Sequence, residues 1–191
     1  MSKLCYKVRR STETAANPQV SMTRGGTSAS HTYPRTTSHN FLQRCRPATA
    51  AFYGYWDEKR RGRLMPARAD IDPLEMKPWL SGTALIDVKR DPAAPNGYAL
   101  RYRLIGSRPI ILRGKDVTGM RVETGYYGAS LEAALENYRL VIEEKTQVYD
   151  WDKTPSADGF AREGETLLLP LSADGENVDM VLVYQEVDTL R

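Results

Sequence analysis

Histidine and cysteine are almost missing from this chain. Its 191 residues hold two of each, Cys5 and Cys45, His31 and His39. From Phe41 onward there is no histidine and one cysteine. That removes His-dependent catalytic triads, His-ligated haem and the usual zinc sites from the rest of the chain. The two cysteines show no redox or metal spacing, and a structural disulfide between them is not expected. Long apolar runs are missing as well, since nothing approaches the ~20 residues that span a bilayer. Basic residues near the N-terminus are followed by no apolar signal core, and no Arg-rich amphipathic face marks a transit peptide. The expected location is cytoplasmic. Gly106–Gly119 lacks the Gly-Lys-Ser/Thr ending of a phosphate-binding loop.

Charge is unevenly divided. Before Phe41 stand six basic residues, Lys3, Lys7, Arg9, Arg10, Arg24 and Arg35, against the single acid Glu13. The net charge of +3 therefore belongs to this tail, and the remainder is net acidic. A diffuse basic tail is a solvated segment, so no nucleic-acid partner is expected. Residues 1–40 are rich in Ser, Thr, Gly, Asn and Pro. They carry too little apolar surface to offset the entropy of ordering. Three readings stay open for them: disorder, order only on a partner, or a true start at Met22 or later. Residues 41–191 are expected to form one domain acting as a stand-alone module.

The pattern that organises this domain runs from Tyr98 to Ile142. Tyr98, Leu100, Tyr102 and Leu104 alternate with Arg101 and Arg103, which predicts a strand with one wet face. Gly106-Ser107-Arg108-Pro109 breaks the run, Ile110–Leu112 is apolar, and a turn-rich stretch leads to a helix. On that helix Leu131, Leu135, Tyr138 and Ile142 form a stripe opposite Glu132, Glu136, Arg139 and Glu143. The excursion reads as the wall of a pocket over a sheet. Upstream, Pro47–Arg61 predicts a helix with Ala48, Ala51, Phe52, Tyr55 and Trp56 on one face, closed by basic residues and Gly62. Asp72-Pro73-Leu74-Glu75 predicts a short capped helix, with Arg68 and Asp70 paired across the preceding turn. Strands are expected at Gly82–Val88, Gln147–Trp151, Glu165–Leu171 and Val178–Val187, with Asn96-Gly97 as a hairpin turn. The order of elements indicates an α+β domain with one antiparallel sheet.

That order is the order of a PAS domain, and the chain resembles the alphaproteobacterial PAS_5 subfamily. The resemblance rests on Tyr55-Trp56, Met65–Pro73, Tyr102–Arg108, Gly114–Gly119 and Leu169–Gly175 followed by Val178-Asp179-Met180. It implies a five-stranded antiparallel sheet in spatial order 2-1-5-4-3. It further implies helices packed on one face and a ligand or signal pocket between them, with a role in bacterial sensing and protein association. The flavin-adduct cysteine and the haem-binding histidine known from other PAS domains have no counterpart here. The cofactor is therefore unknown, and a non-covalent flavin or small metabolite remains compatible.

The expected pocket residues are Tyr102, Leu104, Arg108, Ile111, Leu112, Tyr127, Leu131, Leu135 and Tyr138. Buried phenols need polar partners, and Arg108 suits a carboxylate or phosphate. A second reading is a ligand-free association module in which Phe52, Tyr55 and Trp56 meet a second copy or another protein. A remote enzymatic reading would use Asp150 with Asp152, or Glu163 with Glu165, each pair on a common strand face. The plain alternative for these carboxylates is a solvated strand face. No catalytic motif and no metal site is found.

Overall fold

The computed structural model describes residues 35–188, and the readings made for residues 1–34 fall outside them. Within the described part, Thr36 bridges to Tyr149 through two backbone hydrogen bonds of 2.8 and 2.9 Å. A 3-10 turn at His39–Gln43 then buries Phe41.

Helix α1 spans Pro47–Arg60, with Pro47 in the first turn, and ends at Arg61 in a left-handed conformation (φ 49°). Its inward face differs from the expected stripe. Thr49, Phe52, Tyr53 and Trp56 are buried, whereas Ala51 is exposed. Large aromatic rings at 52, 53 and 56 outweigh two alanines in deciding which side turns in. The expected helix after Asp72 is reduced to turns, although the Asp72 side chain does accept from the Leu74 N–H at 2.8 Å. Pro78 stops any longer helix there. Glu75 pairs with Lys59 instead of capping, and Asp70 pairs with Arg63 at 2.6 Å instead of Arg68.

The strands are β1 (Thr83–Arg90), β2 (Tyr98–Ile105), β3 (Val148–Pro155), β4 (Ala161–Leu171) and β5 (Met180–Val187). All four pairings are antiparallel and the spatial order is β2-β1-β5-β4-β3. Between β2 and β3 lie α2 (Ser107–Arg113), the single turn α3 (Val122–Gly125) and α4 (Leu131–Glu144). Ser130 caps α4 by accepting from the Ala133 N–H. Gly119–Arg121 covers the free edge of β2 through Gly119 N–H to Tyr102 C=O (2.7 Å) and Tyr102 N–H to Met120 C=O (3.0 Å), which closes an edge open to pairing.

Helices lie on both faces of the sheet, a correction to the one-face expectation. Val183 and Tyr184 are adjacent on β5 and so point to opposite sides. Val183 faces a cavity shared with α4, while Tyr184 stacks on Phe52 of α1 with ring centroids 4.8 Å apart. The continuous apolar run in β5 is what a strand covered on both sides requires, and Val181–Tyr184 are all buried.

A bulge changes the phase of β2. Leu85 pairs with Leu104 but Ile86 pairs with Tyr102, so Arg103 is the extra residue. One inserted residue moves everything beyond it to the other face. Ile105 therefore turns inward and is buried, and Leu104 is 45% exposed.

Candidate functional site

Between the sheet and the layer α2–α4 lies a cavity of about 100 Å³, partly open to solvent. Of the residues named from the sequence, Tyr102 from β2, Tyr127 from the loop before α4 and Tyr138 from α4 line it. The other expected pocket residues do not. Leu104 is carried to the outer face by the bulge, and Ile111 is 69% exposed on the solvent side of α2. Leu112 is buried and Leu131 and Leu135 are half-buried, all away from the cavity lining. Arg108 is held elsewhere, donating to Gln185 C=O and to Glu186, each at 2.9 Å. It satisfies β5 backbone where β1 has already ended, so its guanidinium is engaged as a structural clamp.

Polar groups not expected as pocket residues occupy the cavity walls: Asn137 and Arg113 are not singled out by the sequence, and Asp150 is considered there only for the enzymatic reading. Asn137 and Asp150 are both more than nine-tenths buried. Asn137 Nδ2 donates to Asp150 Oδ2 at 2.6 Å, which leaves Asn137 Oδ1 and Asp150 Oδ1 without protein partners. Arg113, at the last turn of α2, lies over the Tyr102 ring at 5.3 Å. Its Nη2 reaches the Tyr102 hydroxyl at 3.4 Å, and its Nε and Nη1 are buried without partners. Leaving such atoms unmade costs about 1–3 kcal/mol each, so their gathering around one space is informative. Burial pushes the Tyr102 hydroxyl pKa up, an effect that Arg113 partly offsets. Burial pushes the Tyr138 hydroxyl higher still, with Tyr102 adding to it. Both phenols remain neutral donors at neutral pH.

The carboxylates of the enzymatic reading separate. Asp150 pairs across with Thr166 and faces the cavity, and the register puts Glu165, opposite Trp151, on the other face. Neither Asp150 nor Glu165 belongs to a solvated strand face, because both are buried. Glu165 accepts from the Arg46 N–H at 2.8 Å and pairs with Arg46 Nε at 3.1 Å. Glu163 is exposed beside Lys153, and the side chain of Asp152 lies outside the description. The expected interface stripe also turns inward. Phe52 and Trp56 are fully buried on the sheet, Trp56 Nε1 donating to Pro170 C=O at 3.0 Å. Tyr55 is half-buried against Trp79.

Among the described residues no group of three or more His, Cys, Asp or Glu is arranged to hold a metal. None of their helices is long and apolar enough to cross a membrane.

An antiparallel sheet in the order 2-1-5-4-3 with an excursion of helices over a cavity defines an α+β domain of the PAS type. The PAS_5 family, described as a PAS domain, matches residues 44–184, and the chain belongs to it. Among solved structures it is similar to a light-oxygen-voltage domain studied with a flavin analogue. That likeness is at 16% identity and TM-score 0.45, over 61% of this chain and 83% of that one. It is also similar to an RNA-binding light-oxygen-voltage receptor (16% identity, TM-score 0.43, 63% of this chain and 34% of that one). A third is a fungal light-oxygen-voltage photoreceptor domain (14%, 0.40, 63% and 94%). No curated protein matches the chain.

Proposed function

We propose that this chain is a sensory or regulatory PAS module whose input is a small molecule held in the cavity between the sheet and α2–α4. The observation that supports it is the set of buried polar atoms without protein partners on Asn137, Asp150 and Arg113 around one cavity. A core built only for packing fills such a space or pairs such atoms. Residues 41–191 act as one domain behind an N-terminal extension, in bacterial signalling in the cytoplasm. Occupancy biases the excursion between Gly106 and Gly128, and a protein partner or second copy reads the change. Any such switch needs different affinity for two states.

The cavity of about 100 Å³ is below the ~300–1,000 Å³ usual for ligand pockets. The guest is therefore small, or the α2–α3 wall moves outward to admit it. Native mass spectrometry of the protein purified from its own host tests the reading, with a thermal-shift screen of common metabolites beside it. The expected result is an added mass or a raised melting temperature. Repeated bare protein together with a silent screen overturns it.

A further inference from the structure

We infer that the cavity takes a small zwitterion of the α-amino-acid type, its ammonium group at Asp150 and Asn137 and its carboxylate at Arg113. This rests on the reading of the cavity as the ligand site and adds the chemistry of what it holds.

At the Asp150–Asn137 end two acceptors lack a donor, Asn137 Oδ1 and Asp150 Oδ1, beside the second hydrogen of Asn137 Nδ2. The Asn137 amide is oriented by chemistry, since only its nitrogen can bond the Asp150 oxygen 2.6 Å away. That bond leaves one oxygen on each residue facing no donor. A guest that meets both must bring at least two hydrogens from one place. An ammonium group brings three, and its positive charge suits a carboxylate withdrawn from water. The Arg113 end offers donors alone. Its guanidinium has no carboxylate partner among the described residues, and two of its nitrogens lack an acceptor. Lying on the Tyr102 ring holds the guanidinium in place while leaving its hydrogens free for an anion. The unpaired acceptors come from α4 and β3 and the unpaired donors from α2, all lining the same cavity. A guest that satisfies both ends is therefore itself dipolar.

Size narrows the class. An apolar cavity of 150 Å³ holds the six heavy atoms of benzene, so a space of about 100 Å³ takes roughly four to five heavy atoms as it stands, and an amino acid larger than glycine enters as the α2–α3 wall moves outward. The remaining lining includes Ala133, Ala134, Leu168 and Val183, which suits a short side chain and gives no handle for a long charged one.

The test is calorimetry and thermal shift on the full chain. The probes are glycine, L-alanine, L-serine and L-threonine, with the methyl esters and N-acetyl derivatives of alanine and serine as controls. The free amino acids should bind. The esters, which lose the carboxylate charge, should bind at least ~10-fold more weakly, the least expected for a lost charge-assisted hydrogen bond. The N-acetyl derivatives should not bind. In Arg113→Met the preference for acid over ester should vanish, and Arg113→Gln should retain part of it. Because the acid-to-ester ratio is read within one protein, a loss of stability in a variant does not imitate the result. Binding of the zwitterions with no penalty for the esters overturns the inference. So does silence from every amino acid while an uncharged metabolite raises the melting temperature, a result that leaves the cavity as a ligand site. If nothing binds and native mass spectra show bare protein, the ligand-site reading falls with it.

Discussion

Glu165 should be among the costliest polar side chains to remove, although it lies on the sheet face away from the cavity. Its Oε1 accepts from the Arg46 backbone N–H at 2.8 Å and meets Arg46 Nε at 3.1 Å. α1 has no side-chain cap of its own at Arg46, so this carboxylate ties the start of α1 to β4. Glu165→Ala removes a cap-like acceptor worth about 1 kcal/mol and a charge-assisted bond worth about 1.5–3 kcal/mol. The expected total is about 3 kcal/mol, or roughly 6–12 °C in melting temperature for a domain of this size. Glu165→Gln keeps an oxygen for the Arg46 N–H and loses only the charge, so it should cost about half as much. Urea unfolding followed by tryptophan fluorescence measures both, with a shifted midpoint at unchanged slope. A thiol readout runs beside it. Burial, and then the charge of Glu165, hold the Cys45 thiol pKa up. Glu165→Gln in a Cys5→Ser background should therefore speed alkylation of Cys45 near pH 8. A cost under ~1 kcal/mol for Glu165→Ala, or equal costs for Ala and Gln, refutes the anchoring role.

Three further outcomes follow from the geometry. Leu104→Lys should change stability by less than ~0.5 kcal/mol, as for an ordinary surface site. Ile105→Lys should cost roughly 3 kcal/mol or more by burying an unpaired charge, and chemical denaturation of the two variants compares them. Gly106→Ala should be destabilising by ~1–3 kcal/mol, because its Cβ would collide with the Leu80 carbonyl oxygen and sit 2.6 Å from the Ser81 carbonyl oxygen; thermal unfolding reads this. Burial, together with Glu186, pushes the Tyr184 hydroxyl pKa up to about 12 from its ordinary 10.0. The unfolded chain then loses this proton first, so stability should be level up to about pH 10 and fall between pH 10 and 12. Phenolate absorbance tracks the titration, and Tyr184→Phe should make the fall shallower without abolishing it, because burial raises the hydroxyl pKa of Tyr102, Tyr138 and Tyr149 too.

What could be read from the residues alone differed by element. The Tyr98–Tyr102 alternation located β2 to the residue, because packing on a half-buried face imposes a period of two. It failed at Leu104 because an inserted residue leaves no mark in composition. Helix α2 was hidden by Gly106 and Pro109, which punctuate most sequences. Pro109 falls in the first turn, where a missing N–H breaks no intrahelical bond. Tyr102 and Tyr138 were legible as large residues at strand and helix spacing, whereas Tyr126, in the loop before α4, was not. Asn137, Asp150 and Arg113 were not, since a polar residue inside an apolar stripe gains its meaning only from what lies across the core. Spacing did place Asp150 on a strand face, but only the tertiary fold shows that face to be enclosed.

The most direct measurement is a crystal structure of the full chain purified from its own host. The account predicts one continuous density feature, larger than separate waters, within hydrogen-bond distance of Asp150 Oδ1 and of Arg113. A cavity holding only discrete waters, or one closed by repacked side chains, contradicts it.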